Sequence, residues 1–110
     1  MRTVTSDLAF GVLADPTRRR VLELLAQQPL RAGQLAAEAG TSTQAMSNHL
    51  RVLLDAGFVA DERLAEDARA RLFTLRPQSF AGVQAWLDQL QVEWRVQLKS
   101  FKSHAEGKAR

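Results

Sequence analysis

The sequence predicts a mainly α domain that carries one small β-hairpin, on three observations. The length of 110 residues suits one domain and is short for two independent cores. Apolar residues recur three and four apart over most of the chain, as amphipathic helices require. One stretch, about 58–76, instead concentrates strand-favouring residues, Phe58, Val59, Phe73 and Leu75, although its alternation is imperfect.

Taken in order, Val4, Leu8 and Val12 predict a short N-terminal helix ending near Gly11 or Ala14. The string DPTRRRVLELLAQ begins a second helix. Asp15 can cap it, Pro16 suits its first position, Val21, Leu24 and Leu25 line one face, and Pro29 marks its exit. RAGQLAAEAG then reads as a short helix closed by Gly40, and TSTQAMSNHLRVLLDAG as another closed by Gly57. Two helices about a tight turn make a helix-turn-helix over about 31–56, packed internally by Leu35, Met46, Leu50 and Leu53. FVADERL and RARLFTLR follow as the two strands of the hairpin, a wing at about 58–76, with LAEDA at its tip.

From Pro77 onward Phe80, Val83, Leu87, Leu90, Trp94, Leu98 and Phe101 form one apolar seam. A helix over about 78–102 would be about 37 Å long. That exceeds what a small domain needs to cover its own core, so part of the seam is expected to meet a second copy of the chain, against the alternative that the helix folds back wholly on its own domain. The domain is thus expected over residues 1–103, with 104–110 as a frayed tail.

Hydrophobic residues make up 45% and charged residues 25%, ordinary globular composition that argues against a disordered chain. Cysteine is absent, which removes disulfides, thiolate metal sites, iron–sulfur clusters and cysteine nucleophiles. Of the 15 basic residues 12 are Arg, and the net charge is +3. Guanidinium suits phosphate or carboxylate partners, but so small a net charge decides little without its distribution. No apolar run is long enough for a bilayer and the first residues lack a signal-peptide core, so a soluble cytoplasmic protein with no membrane partner is expected.

On a helical wheel of the segment from about Thr43 to Asp55, Met46, Leu50 and Leu53 cluster on one side and Gln44, Ser47, Asn48 and Arg51 on the other. No acid occurs between Gly40 and Asp55. Gln and Asn can pair bidentately with adenine, Arg with guanine, and Ser with several groups, so this face suits base edges in the major groove. A solvated polar face is the plainer alternative; placement on the second helix of a helix-turn-helix favours DNA.

Either Thr41, in a capping box with Gln44, or Ser42, which would leave Gln44 free, can cap this helix. Thr41, Ser42 and Thr43 lie where hydroxyls and backbone amides favour phosphate. Arg18 and Arg19, of the triplet Arg18-Arg19-Arg20, are further candidates for the DNA backbone, since cations in the first turns of a helix oppose its dipole; a plain solvated charge run is the alternative. Arg63, Arg69 and Arg71 flank the wing, where Glu66 and Asp67 argue against deep insertion into a groove. His49 and His104 have no neighbours for a shared metal, Trp86 and Trp94 read as packing residues, and no phosphate loop, HExxH pair or nucleophile elbow occurs. No catalytic residue, metal or cofactor is expected.

LADPTRRRVLELLAQ, TSTQAMSNHLRVLLDAGFV and ARLFTLRP, and above all Ser47-Asn48-His49-Leu50 with Leu53 and Ala56-Gly57-Phe58, resemble the ArsR-type winged helix-turn-helix regulators over nearly the whole chain. The resemblance implies that Gln44, Ser47, Asn48 and Arg51 face the major groove and that the N- and C-terminal helices dimerise. Val4, Leu8 and Val12 would join Leu87, Leu90, Trp94, Leu98 and Phe101 in that interface. Metal-sensing members carry a cysteine pair before the recognition helix or Asp and His ligands on the last helix. Here those regions read LRAGQLAAEAG and Asp88-Gln89-Leu90, which points to the non-metal-sensing members, often encoded beside a START-like ligand-binding protein. The EDA wing tip departs from the glycine turn of many relatives.

The function expected is a homodimeric repressor that binds double-stranded DNA at an inverted repeat. One alternative is a dimer of the same fold recruited to a protein partner. Another, compatible with repression, is a sensor gated by a small-molecule effector, which no residue identifies.

Overall fold

The computed structural model describes residues 6–65 and 67–108, and of these the side chains of 6, 67–69, 107 and 108 are not described. The elements run α1 (Ser6–Leu13), α2 (Pro16–Leu25), β1 (Leu30–Arg31), α3 (Ala32–Ala39), α4 (Thr43–Ala56), β2 (Val59–Leu64), β3 (Asp67–Leu75), a 3-10 turn (Pro77–Phe80) and α5 (Ala81–Lys108). The mainly α fold with a β-hairpin wing is thus present.

The helix ends follow their local chemistry. Asp15 caps α2, its Oδ1 accepting the N–H groups of Thr17 at 2.8 Å and Arg18 at 3.1 Å, with Pro16 in the first turn. The Arg18 N–H foremost, aided by the charge of His49 and by the Thr17 N–H, outweighs desolvation and holds the Asp15 carboxyl below its ordinary pKa. Gly40 and Gly57 end α3 and α4 at φ 68° and 85°, the left-handed region that a Cβ disfavours. Beyond α4, the Phe58 N–H donates to the Leu53 carbonyl at 2.9 Å, which turns the chain sharply into the wing.

Val21, Leu35, Met46, Leu53, Phe58 and Val59 are the largest fully buried side chains. They tie α2, α3 and α4 to the base of the wing. Phe80 closes this core against Phe58, edge to face with ring centroids 5.3 Å apart.

Three features depart from the sequence-based expectation. The sheet has three strands in the order β1-β3-β2, all antiparallel, not two. Strand β1 pairs Leu30 with Phe73 and Arg31 with Leu72; two residues are too few to show a period of two. A 3-10 turn occupies Pro77–Phe80, where the long helix was expected to begin, with Ser79 Oγ donating to the Arg76 carbonyl at 2.6 Å. Finally, α5 continues to Lys108, beyond the expected end near 102.

From Gln84 onward every described side chain of α5 is exposed, and the molecule extends 75 Å along its longest axis. The helix leaves the domain rather than covering it. Its base is held to α1 by Phe10 and Trp86, edge to face at 5.2 Å. No helix among the described residues is long and apolar enough to cross a membrane.

Candidate nucleic-acid interface

Helix α4 turns Met46, Leu50 and Leu53 into the core and leaves Gln44, Ser47, Asn48 and Arg51 exposed together on its outer face. The cap alternatives resolve in favour of Ser42, whose Oγ accepts the Ala45 N–H at 3.1 Å. Gln44 is therefore not engaged in a capping box. Ser42 and Thr43 are exposed and Thr41 is half-buried, and all three adjoin the N-terminus of α4.

Arg18 and Arg19 turn toward the end of the preceding helix. Arg18 Nε donates to the Val12 carbonyl at 2.9 Å and its Nη2 to Gly11 at 3.3 Å. Arg19 Nη1 donates to the carbonyls of Leu13 at 2.6 Å and Ala14 at 3.2 Å. Both guanidinium groups thus close the C-terminal end of α1, where the helix dipole favours a cation and four carbonyls lack intrahelical donors. Their position within α2 misleads because a long side chain can serve the end of the neighbouring helix. Arg20 pairs instead with Glu23 at 3.6 Å.

In the wing, Arg63 and Arg71 sit opposite each other on paired strands. Arg71 turns to Asp61, with Nε and Nη2 at 2.7 and 2.5 Å from Oδ2, and its guanidinium lies 5.2 Å from the Phe73 ring centroid. Arg63 is exposed, and the side chain of Arg69, like residue Glu66, falls outside the described residues.

A cleft of about 450 Å³ opens between the wing, the start of α3 and the wing-facing side of α4, lined by Arg31, Ser47, Arg51, Arg71 and Phe73 among others. Arg31 had no signal in the sequence, because strand β1, which fixes its place, was itself not legible there.

The residues expected at a dimer interface divide. Leu8, Leu87, Leu90, Trp94, Leu98 and Phe101 are exposed, Trp94 to 60% and Phe101 to 74%. Val12 is only 4% exposed and belongs to the core of its own protomer, which leaves it no surface for a partner. Val4 lies outside the described residues. Among the described residues no three His, Asp or Glu side chains gather as a metal-ligand set.

Comparison with known proteins agrees with this architecture. A helix-turn-helix domain model matches residues 13–62. The HTH-type transcriptional regulator Rv2034 of Mycobacterium tuberculosis is 39% identical over 82 residues, 74% of each chain. The transcriptional repressor SdpR of Bacillus subtilis is 37% identical over 54 residues, 49% of this chain and 60% of its own. Among solved structures, an ArsR family transcriptional regulator superposes with a TM-score of 0.71 at 30% identity, over 81% of this chain and 89% of the other. By its sequence relatives, the helix-turn-helix with its wing and the absence of cysteine, the chain belongs to the ArsR family of winged helix-turn-helix transcriptional regulators, among the members without cysteine ligands.

Proposed function

We propose that this regulator is a homodimeric repressor that binds an inverted-repeat operator in the cytoplasm through α4. The observation that carries the reading is the outer face of α4, where Gln44, Ser47, Asn48 and Arg51 are exposed and no acid precedes Asp55. Gln44 and Asn48 suit adenine, Arg51 suits guanine, and Ser47 suits either donors or acceptors. Thr41, Ser42 and Thr43 at the start of α4, with Arg63 in the wing, would contact backbone phosphates. Repression is supported by the likeness to SdpR, named a transcriptional repressor.

Dimerisation is supported by the apolar seam of α5, whose Leu87, Leu90, Trp94, Leu98 and Phe101 project beyond the domain. Contiguous apolar surface of this kind marks an interface. A two-fold dimer would present two copies of α4 to successive major grooves, and the operator should mirror that symmetry.

Fluorescence anisotropy with an operator duplex tests the reading. Arg51→Ala is expected to weaken specific binding by about 1–3 kcal/mol and relax preference at one base position per half-site. Normal operator affinity in that variant would remove Arg51 from the base-reading set.

A further inference from the structure

We propose that the cleft between α3, α4 and the wing seats a backbone phosphate of duplex DNA, gripped by Arg31 and Arg71 opposite Ser47 and Arg51. The proposal rests on the DNA-binding reading above and adds a binding site to it. Its first ground is charge. Three arginines line one cleft of about 450 Å³, and among the described residues no Asp or Glu lines it. Neither Arg31 nor Arg51 joins an ion pair among the described residues. Two arginines without a counterion, beside Arg71 with its Asp61 partner, suit an anion with several acceptor oxygens.

The second ground is preorganisation. Arg71 is fixed by Asp61 and by the Phe73 ring, yet only its Nε and Nη2 are engaged, so Nη1 keeps its donors. The backbone of Arg31 is held by its pairing with Leu72 in β3, and its N–H donates to Gln34 Oε1 at 2.9 Å. Its guanidinium has no acceptor with which to cap α3, so the side chain is left to other partners. The third ground is position. Ser47 and Arg51 belong both to the cleft and to the outer face of α4, so a helix laid in a major groove brings the flanking strand of DNA alongside the cleft. A phosphodiester therefore fits better than a free anion, though the two share their chemistry.

Binding of a duplex selected from a random pool and of a scrambled duplex of equal length, each titrated over a range of salt, tests the site. Arg31→Ala should weaken both duplexes by a similar factor, about tenfold, and reduce the slope of log affinity against log salt by about 1. Arg31→Gln, which keeps the bulk of the side chain, should behave alike, with a thermal midpoint equal to that of the parent. A neutral methylphosphonate walked along the selected duplex should weaken the parent at one position per half-site and leave Arg31→Ala insensitive there. Unchanged slopes in both Arg31 variants, with the parent binding normally, would overturn the phosphate site and leave the DNA reading standing. Saturation of the cleft by inorganic phosphate at constant ionic strength, without any effect of Arg31→Ala on DNA, would assign it to a free anion instead and likewise overturn the proposal. Absence of salt-dependent binding by the parent to either duplex would overturn the DNA reading and this site with it.

Discussion

Replacing Trp94 by Ala should dissociate the dimer without loosening the protomer. Trp94 lies midway along the exposed seam of α5 and is 60% exposed. With about 250 Å² for a whole indole side chain, the exposed part amounts to about 150 Å². At about 25 cal/mol per Å² its burial is worth at most about 4 kcal/mol. Association entropy and imperfect desolvation consume part of that, and a truncated aromatic anchor in an interface typically costs about 2 kcal/mol. Both protomers carry the change, so the dimer loses about 4 kcal/mol, a rise in dissociation constant of about a thousandfold. Sedimentation equilibrium over a concentration series reads that constant, and circular dichroism reads the fold. Trp86→Ala is the contrasting variant, because Trp86 packs edge to face against Phe10 of its own protomer, so its loss should lower the unfolding midpoint as well. An unchanged monomer–dimer equilibrium in Trp94→Ala would refute the assignment of this seam to a second copy.

Three further outcomes follow from the helix ends. Arg18→Ala should lower unfolding free energy by about 1–2 kcal/mol, because charge-assisted bonds to two carbonyls of α1 are lost, while the salt slope of DNA binding stays unchanged; urea melts and anisotropy separate the two effects. Asp15→Ala should cost about 1 kcal/mol as a lost N-cap at neutral pH. Because the folded carboxyl titrates below its ordinary value, that stabilisation is present above the unfolded pKa of about 4 and is lost as pH falls through the folded one. Melts from pH 7 down to pH 2 should therefore show parent and variant converging at the acid end. Gly57→Ala, at φ 85°, should cost about 1–2 kcal/mol, the penalty of a Cβ in the left-handed region, read as a lower midpoint in thermal melts.

Much of the fold was legible because its devices are local. Asp15-Pro16 announces the start of α2, Gly40 and Gly57 announce helix ends, and Met46, Leu50 and Leu53 mark the buried side of α4 three and four residues apart. The exposed set Gln44, Ser47, Asn48 and Arg51 followed from the same wheel. What stayed hidden depends on tertiary neighbours. Strand β1 is two residues long and exists through its pairing with β3, so neither it nor the place of Arg31 on the same cleft as Arg71 leaves a periodic trace. Arg18 and Arg19 oppose the dipole of the helix that carries them, and only the fold reveals that they serve the end of α1. Val12 shares its spacing with exposed Leu8, yet the turn of α1 directs it inward.

Selection of bound duplexes from a random-sequence DNA pool tests the central claim most directly. A dimer that reads DNA through two copies of α4 predicts enrichment of one inverted repeat, its half-sites centred about one helical turn apart or a multiple of it. Enrichment should vanish when Gln44, Asn48 and Arg51 are replaced together by Ala in a protein that still folds and dimerises. A pool that remains random after repeated rounds with the parent protein, or that enriches only a single unrepeated site, would contradict the account.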